Sequence, residues 1–393
     1  MITAEVIFWI LIVSVFYVYA GYGIILYILK KSLGCRKSIN DEHADWPEVT
    51  LFITAYNERD FVEMKMENCK KLDYPDAKLK ILWITDGSDD GTDVLLRDYP
   101  EIEVYHQPER RGKIAAMNRG MQFVKTDIVV FCDANTLLNQ ESIKVIAEKF
   151  RDPKVGCVAG EKRIISESKE NAASSGEGIY WKYESKLKQW DACLNSAVGA
   201  AGELFAIRTE LFREVEPDTL LDDFVISLRI VAMGYRIEYS PYAYASESSS
   251  VSVKEELKRK IRISAGGIQS VFRLKKLLNP FKYGVFAWQF LSHKVLRWLW
   301  VPFILPVVFI LNTAIVIWGD VSYTGLYAVL LILQVIFYLF VVAGWLLENR
   351  KIRFKIIFAP YYIFIMNYAV YHGLIRYIKG KQTVNWERAR RAG

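Results

Sequence analysis

Histidine and cysteine are scarce in this chain of 393 residues, which contains four histidines and five cysteines. The histidines are too far apart in the sequence for a metal-binding set or a catalytic triad, and no two cysteines form a C-x-x-C pair. The G-x-S-x-G and Walker A patterns are also missing. These absences argue against a zinc site, a triad hydrolase and a P-loop. We expect the cysteines to be reduced cytosolic thiols: Cys35, Cys69, Cys132, Cys157 and Cys193.

Charged residues are absent from four long stretches of the sequence. These stretches cover residues 6–29, 298–318, 325–347 and 356–375. Each approaches the ~20 residues that cross a ~30 Å hydrocarbon layer. One such stretch alone is typical of a buried helix in a soluble protein, but four of them at the two ends of the chain predict membrane helices.

The first stretch is predicted to be a retained anchor rather than a signal peptide. It has no basic region before it, is too long for a signal sequence and has no small-residue cleavage site after it. Lys30, Lys31, Arg36 and Lys37 follow it, and basic flanks stay in the cytosol. Segment 356–375 has basic residues on both sides, which leaves open whether it crosses the membrane or is re-entrant or interfacial.

Between the membrane stretches, short apolar runs alternate with helix-like stretches. We predict strands at 49–54, 79–85, 101–106, 127–132 and 155–160. We predict helices at 60–72, 113–124, 140–150 and 179–193. This alternation is typical of a Rossmann-like, doubly wound α/β sheet, in which ligands bind beyond the carboxyl ends of the strands.

Composition divides the chain into five parts. They are an anchor (1–33), a soluble α/β domain (45–253), amphipathic interface helices (254–297), a membrane region of two to three spans (298–375) and a basic tail (376–393). Residues 166–178 are rich in serine, glutamate and glycine and are predicted to form a mobile loop. The net charge of +7 is concentrated near the apolar stretches, which favours a lipid bilayer as partner and no nucleic acid.

Carboxylates follow two of the predicted strands. Asp86 begins a D-G-S-D-D-G-T turn, which would hold a ribose or base, or would form an ordinary capped turn. Asp133 and Asn135 follow the strand at 127–132. At positions i and i+2 of an extended segment their side chains point the same way. They would share one hard cation with a diphosphate, or form a turn.

Two further groups carry charge. R-R-G-K at 110–113 opens a predicted helix at Lys113, and this arrangement favours phosphate, although a solvated basic loop has the same pattern. Asp222 and Asp223 precede a helix-like stretch. A carboxylate pair there supplies a general base or caps the helix.

Taken in order, these motifs resemble those of family 2 inverting glycosyltransferases, in the membrane-embedded branch that includes cellulose, chitin and hyaluronan synthases. The match runs through residues 54–58 (T-A-Y-N-E), 86–88, 112–113, 133–135, 199–202, 222–223 and 259–262, and ends at N-W-E-R, 385–388. It covers nearly the whole chain. The resemblance implies a GT-A fold with N-terminal and C-terminal transmembrane helices.

The resemblance also implies a role for each matched residue. The nucleotide-binding residues would be Tyr56, Glu58, Asp86, Lys113 and Asp133. Asp133 and Asn135 would meet Mg²⁺ or Mn²⁺, Asp223 would be the catalytic base and Asp222 its acidic neighbour. The diphosphate or acceptor would contact Gly199, Gly202, Arg259 and Arg262.

Two positions depart from the family's pattern. Polymerising relatives usually carry Q-x-x-R-W, whose tryptophan is a platform for the acceptor, but Ile263 stands in that place here. The missing ring argues against repeated addition to a growing chain. Asn135 replaces the usual final aspartate of the metal motif, which lowers the charge of the site but keeps an oxygen ligand.

The resemblance implies an enzyme that transfers a sugar from a UDP-sugar to a carbohydrate or lipid-linked acceptor, with inversion, in cell-surface polysaccharide or glycolipid synthesis. One alternative is a processive polysaccharide synthase that also translocates its polymer. Another is an inactive nucleotide-sugar-binding subunit of a secretion complex with accessory subunits. The expected location is the bacterial inner membrane, with the catalytic domain in the cytosol.

Overall fold

The computed structural model describes residues 2–36, 45–165, 172–248, 253–319, 324–347 and 355–380. Lys37, the N-W-E-R motif at 385–388 and the basic tail beyond residue 380 therefore lie outside the described residues.

The chain begins with one long apolar helix. Helix α1 (Ile2–Phe16), a π-helical turn (Tyr17–Gly21) and helix α2 (Tyr22–Leu33) follow one another without a break. Together they span 32 residues with a mean hydropathy of 2.1, which is long and apolar enough to cross a membrane.

Strands then alternate with helices through the soluble part. The strands are β1 (Val49–Ala55), β2 (Leu79–Asp86), β3 (Glu103–Gln107), β4 (Ile128–Asp133), β5 (Leu137–Leu138), β6 (Val155–Ile165), β7 (Leu204–Arg208) and β8 (Arg236–Ser248). The helices are α3 (Arg59–Lys70), α4 (Thr92–Leu96), α5 (Lys113–Met121), α6 (Ser142–Lys149), α7 (Ala172–Leu194) and α8 (Asp222–Ala232). The predicted strands and helices are therefore present, with ends shifted by up to seven residues.

The strands form one mixed sheet of eight, in the order β3-β2-β1-β4-β7-β6-β8-β5. Strands β1, β2, β3 and β4 pair with one another in parallel. Strand β7 is antiparallel to both of its neighbours, β4 and β6. Thr54 pairs with Asp133, and Ala55 pairs with Thr85. The carboxyl ends of β1, β2 and β4 therefore meet at one edge, and the predicted Rossmann-like mixed sheet is confirmed.

All seven residues of β1 are buried, because helices cover both faces of the sheet. Leu51 and Ile53 pack into the core on one face, whereas Phe52 between them packs into the core on the other. This alternation is the period of two that strand geometry imposes. It explains why the central strands appear in the sequence as continuous apolar runs.

The prediction of a mobile loop over 166–178 is wrong for residues 172–178, which belong to helix α7. Residues 166–171 lie outside the described part. Serine and glycine have low helix propensity, but propensity is a weak prior that tertiary packing overrides. Helix α7 packs against the apolar helix α2 and against β6 and β8 of the sheet.

The expectation of reduced cysteines is wrong for one pair. Cys35, just beyond α2, forms a disulfide with Cys193 near the end of α7, across a separation of 158 residues. Cys69, Cys132 and Cys157 are free and buried. Spacing in the sequence does not reveal such a pair, because its partners meet only after α2 docks on α7.

The segment predicted to lie in the membrane interface folds into helices α9 (Val253–Arg273), α10 (Pro280–Tyr283), α11 (Val285–Phe290) and α12 (Leu296–Leu299), with a second π-helical turn at Leu291–Val295. Phe272 and Phe281 are exposed, at 49% and 99%. Leu277, Phe286 and Phe290 instead lie buried in the core of the soluble domain. For these three the interfacial expectation is wrong, since they join the segment to the sheet.

The last three described helices are α13 (Val301–Trp318), α14 (Thr324–Leu347) and α15 (Lys355–Ile378). Within the described residues, three helices are long and apolar enough to cross a membrane: Ile2–Leu33, Val301–Trp318 and Gly325–Leu347. Phe8 of the first packs with Ile304 and Val308 of the second. The sequence left open whether the segment that forms α15 crosses the membrane. Helix α15 packs along α9 and α14, and it is not among the three helices that are long and apolar enough to do so.

Candidate active site

A lysine joins two of the predicted carboxylates at the carboxyl edge of the sheet. Lys113 Nζ lies 2.9 Å from Asp133 Oδ1 and 3.5 Å from Asp222 Oδ2. A Cβ placed on Gly202 would lie 3.6 Å from Asp223 Oδ2 and 3.7 Å from Lys113 Nζ. Residues that are up to 110 positions apart therefore line one cleft.

The local structure explains how these side chains meet. Asp133 is the last residue of β4, Lys113 is the first of α5, and Asp222 and Asp223 form the first turn of α8. Gly112 precedes Lys113 with a φ of 90°, a conformation that favours glycine. Asp223 accepts a hydrogen bond from the backbone of Phe224, but the N-cap position of α8 is Leu221 and no side-chain hydrogen bond caps it, so the capping alternative is wrong.

The cleft holds more negative than positive groups, which shifts the pKa values within it. Burial and the neighbouring carboxylate of Asp222 raise the pKa of Asp223 to about 7. Burial likewise raises the pKa of Asp133, against the opposing effect of Lys113. Burial would lower the pKa of Lys113, but Asp133, Asp222 and Asp223 together raise it, so this lysine stays charged.

Sequence reasoning missed a second set of ionic residues beside the cleft. Glu203, which follows Gly202, accepts a 2.5 Å hydrogen bond from Lys162 of β6. Lys162 also pairs with Glu247 of β8. The negative charge of Glu203 acts on both Asp133 and Asp223. Its place next to the predicted Gly202 was the one signal in the sequence that pointed to it.

The turn after β2 is built around Asp86. Its carboxylate accepts hydrogen bonds from the backbone N–H of Arg111, at 3.1 Å, and of Gly112, at 2.6 Å. Asp86 is thereby the link that holds the loop before α5 against β2. The Arg110 guanidinium lies 3.7 Å from the centre of the Tyr56 ring, a cation–π contact. Glu58 is buried, with 4% of its surface exposed.

The two predicted glycines differ in their surroundings. Gly199 has a φ of 85°, and a Cβ there would lie 2.2 Å from the Phe224 ring. Its small size lets the loop pack against the start of α8. Gly202, in contrast, faces Asp223 and Lys113 in the cleft.

The two predicted arginines also differ. Arg259 Nε donates a 3.0 Å hydrogen bond to Glu256, and its guanidinium lies 3.8 Å from Glu247. Arg262 is exposed and within electrostatic reach of Asp222 and Asp133. In the described part of the chain it has no ion-pair partner. Of the pair, Arg262 is the arginine placed to receive an anion.

The predicted metal site consists of two oxygen donors. Asp133 and Asn135 are both partly exposed at the end of β4, and the recorded contact of Asp133 uses only Oδ1. Among the described residues no group of three histidine, cysteine, aspartate or glutamate side chains is able to hold a metal ion by itself. A pair of side-chain oxygens fits an ion such as Mg²⁺ that takes its remaining ligands from water and substrate phosphates.

The mixed sheet with this cleft at its carboxyl edge has the architecture of a GT-A glycosyltransferase. Residues 50–216 match the family described as "Glycosyl transferase family 2". Over these residues the chain is similar to a glycosyl transferase family 2 domain, as the resemblance implied, and the predicted GT-A fold is confirmed.

Curated relatives extend the match beyond that domain. The chain is 27% identical over 259 residues to a poly-beta-1,6-N-acetyl-D-glucosamine synthase of Staphylococcus aureus, covering 62% of this chain and 60% of the relative. It is 24% identical over 267 residues to the synthase of that name in Staphylococcus epidermidis, covering 64% and 62%. The match thus spans less than two thirds of the length of these relatives.

A solved structure with the same fold covers almost the whole chain. It is the mannosyltransferase PcManGT of Pyrobaculum calidifontis in complex with GDP-Man and Mn²⁺. The TM-score is 0.70 at 21% identity, and the superposition covers 95% of this chain and 99% of that one. The likeness therefore includes the apolar helices at both ends.

Proposed function

We propose that this protein transfers a sugar, with inversion, from a nucleotide-activated donor to a hydroxyl group of a carbohydrate or lipid-linked acceptor. The observation that carries the proposal is the position of Lys113, which contacts Asp133 and Asp222 beside Asp223. The contact supports the proposal because one ammonium group joins Asp133, the proposed donor-binding carboxylate, to Asp222, the neighbour of the proposed base. An inactive nucleotide-binding subunit would not require a half-buried carboxylate whose pKa is raised towards neutrality.

Each step of the transfer has a residue to perform it. Asp223 accepts the proton from the acceptor hydroxyl, whose oxygen forms a bond to the anomeric carbon of the donor sugar. The bond from that carbon to the diphosphate breaks, and its electron pair leaves with the diphosphate. Attack opposite the leaving group inverts the anomeric centre, so an α-linked donor yields a β-linkage. Arg262 and Lys113 supply positive charge for the diphosphate.

Asp133 and Asn135 are the residues that would hold Mg²⁺ or Mn²⁺ together with the donor diphosphate. The ion would supply charge neutralisation on the departing diphosphate. The solved structure of the same fold is a complex with GDP-Man and Mn²⁺, which supports this class of ion.

We propose a UDP-sugar as the donor, with Tyr56, Glu58 and Asp86 around the nucleoside. The staphylococcal relatives are named for an N-acetyl-D-glucosamine polymer, which makes UDP-N-acetylglucosamine the first donor to test. The solved relative carries GDP-Man, so GDP-sugars belong in the same panel.

Single addition is our first proposal for the product, and processive synthesis is the second. Ile263 stands where polymerising enzymes of this branch carry a tryptophan, which favours single addition. The similarity to polymer synthases over 259 residues favours the processive alternative.

We propose that the domain faces the cytosol from the bacterial inner membrane, on the basis of Lys30, Lys31 and Arg36 after the first apolar helix. The disulfide between Cys35 and Cys193 argues against a cytosolic location, because disulfides are rare in the cytosol outside hyperthermophiles.

The full chain, purified in detergent, tests the proposal. It is incubated with each of a panel of UDP- and GDP-sugars, with Mn²⁺ or Mg²⁺, and nucleotide release is measured by chromatography. We expect release from one donor that ceases when the metal is chelated. No release from any donor would contradict the proposal.

The size of the product separates the two forms of the proposal. With radiolabelled donor, a single product one sugar longer than the acceptor supports single addition. A ladder or a polymer supports the processive alternative.

A further inference from the structure

A buried lysine contacts both ends of the segment proposed to hold the metal ion. Lys65 belongs to helix α3, and none of its surface is exposed. Its Nζ donates a 2.8 Å hydrogen bond to the backbone oxygen of Thr136, and it is also hydrogen-bonded to the sulfur of Cys132. These two partners stand immediately before and after the D-A-N segment, 133–135. One ammonium group therefore joins the two ends of that segment.

The surroundings of Lys65 are those of an apolar core. Val62, Met66 and Cys69, its neighbours on the buried face of α3, all pack into the core on that side of the sheet. In the part of the chain that the structure describes, no carboxylate forms an ion pair with Lys65. An ammonium group is costly to bury unless hydrogen bonds compensate for the lost water. The hydrogen bonds that compensate here are those to the two ends of the D-A-N segment.

The partner of this lysine closes a turn over the D-A-N segment. The Thr136 hydroxyl donates a 2.9 Å hydrogen bond to the backbone oxygen of Asp133, and the Thr136 N–H lies 3.4 Å from the same oxygen. Ala134 in the middle of the turn is buried, whereas Asp133 and Asn135 on either side of it are partly exposed. The turn therefore decides which side chains of the segment are available to an ion.

Helix α3 also fixes the chain that follows the turn. Asn68 lies one helical turn after Lys65 and so on the same face of α3. Its side-chain amide exchanges two 2.8 Å hydrogen bonds with the backbone of Leu138 in β5. The helix begins at Arg59, directly after Glu58 of the proposed nucleoside-binding motif. Helix α3 is thus a rigid link between that motif and the D-A-N segment.

We propose that Lys65 is a positioning residue for the metal ion. Its hydrogen bond to Thr136 holds the turn that presents Asp133 and Asn135 to the ion. The inference rests on the proposed function and adds to it a residue that touches neither metal nor substrate. Ions such as Mg²⁺ demand nearly ideal placement of their oxygen ligands. Groups that orient such ligands without touching the metal change metal affinity by about 10–100-fold.

The test compares Lys65→Met with two control variants in the full chain, purified in detergent. Val62→Ala removes buried methyl groups from the same helix. Lys71→Met removes an exposed lysine directly after that helix. Mn²⁺ binding is measured by electron paramagnetic resonance in the presence of UDP. Thermal unfolding is measured in the absence of both.

We expect Lys65→Met to weaken Mn²⁺ binding by about 10–100-fold, because the turn loses the hydrogen bond that holds it against α3. Val62→Ala should lower the melting temperature, since it leaves a cavity in the core, but its Mn²⁺ affinity should equal that of the wild type. Lys71→Met should match the wild type in both measurements. A lysine with a purely structural role would instead behave as Val62→Ala does.

The metal dependence of the reaction gives a second measurement. Nucleotide release is followed as a function of Mn²⁺ concentration. In Lys65→Met the KM for Mn²⁺ should rise by the same factor as the binding constant weakens, while kcat at saturating Mn²⁺ should stay at the wild-type value. A lower kcat with an unchanged KM for Mn²⁺ would overturn the positioning role.

Two further variants keep the inference testable if Lys65→Met does not fold. Lys65→Gln keeps a polar group, but its side chain is one atom shorter and uncharged, so it should also weaken Mn²⁺ binding. Wild-type Mn²⁺ affinity in Lys65→Gln would overturn the inference. Thr136→Val removes the hydroxyl that closes the same turn and should weaken Mn²⁺ binding by about two- to tenfold.

The outcomes separate this inference from the proposed function. Equal Mn²⁺ affinity in the wild type and in folded Lys65→Met overturns the positioning role and leaves the proposed metal site intact. Failure of the wild type to bind Mn²⁺ in the presence of UDP contradicts the proposed metal site, and the positioning role falls with it.

Discussion

Lys113 Nζ lies 2.9 Å from Asp133 Oδ1, which joins the start of α5 to the end of β4 at the edge of the sheet where the cleft forms. The same ammonium group lies 3.5 Å from Asp222. One cation thus balances part of the repulsion among three carboxylates that the predicted chemistry places together.

Asp223→Asn should abolish transfer while UDP binding is preserved. The amide has nearly the shape of the carboxylate but accepts no proton, so we expect the rate to fall by about 10²–10⁴-fold. Asp98→Asn, at an exposed position in the same domain, serves as the control. Nucleotide release and UDP binding are measured on the same preparations. Unchanged turnover in Asp223→Asn would show that this residue is not the base.

The same substitution should stabilise the fold above neutral pH. Since burial and Asp222 raise the pKa of Asp223 to about 7, its ionised form is less favourable in the folded state than in the unfolded state. The penalty is fully present above pH ~7 and absent below the ordinary carboxyl pKa of about 4. Thermal unfolding at pH 8 and pH 4 should show a gain at the higher value only. An equal shift at both values would contradict the electrostatic explanation.

Transfer should become faster as the pH rises through about 7, the pKa of Asp223. A base must be ionised to accept a proton, and the ionised fraction increases from about one tenth at pH 6 to about nine tenths at pH 8. The measurement is the rate at saturating donor and metal between these values. A rate that falls over this range would show that the group that titrates acts as an acid.

Lys113→Met should destabilise the protein by about 3–5 kcal/mol, because Asp133 and Asp222 lose the charge between them. Lys113→Arg should recover part of the loss, since it restores the charge with a different shape. Lys125→Met, at an exposed position, is the matched control. Chemical unfolding gives the free energies. If Lys113→Met and Lys125→Met were equally stable, the cleft would not depend on this lysine.

Reduction of the Cys35–Cys193 disulfide should lower the melting temperature. The link closes a loop of 158 residues and should contribute about 2–4 kcal/mol. Mass spectrometry of the unreduced protein should find these two cysteines joined. In a Cys35→Ser, Cys193→Ser double variant, reductant should have no further effect. Free thiols at both positions in the purified protein would support a reducing compartment and refute the disulfide.

Much of the soluble domain was predictable from local patterns. The buried runs at β1, β2 and β4 are apolar on both faces, because helices cover both sides of a parallel sheet. Asp86 and Asp133 come at the ends of such runs, and the carboxyl ends of parallel strands share one edge. Their proximity to each other therefore followed from the sequence alone.

Other features were not predictable because they depend on which surfaces meet. Helix α7 has a composition typical of a loop, and its helical form depends on packing against α2 and the sheet. The disulfide, the burial of Phe286 and Phe290, and the charge balance at Glu203 all join segments that are distant in the sequence. No local signal marks such pairs.

The sequence by itself determined which carboxylates follow strands and which segments are apolar enough to cross a membrane. It also determined that the tryptophan of the Q-x-x-R-W pattern is missing. Only the tertiary structure decided that Asp222 lies beside Lys113, and that Glu203 pairs with Lys162 near them. The physical reason is that propensity and periodicity act over a few neighbouring residues, whereas electrostatic and packing energies depend on distances in space. Those distances exist only after the sheet, α7 and the apolar helices have come together.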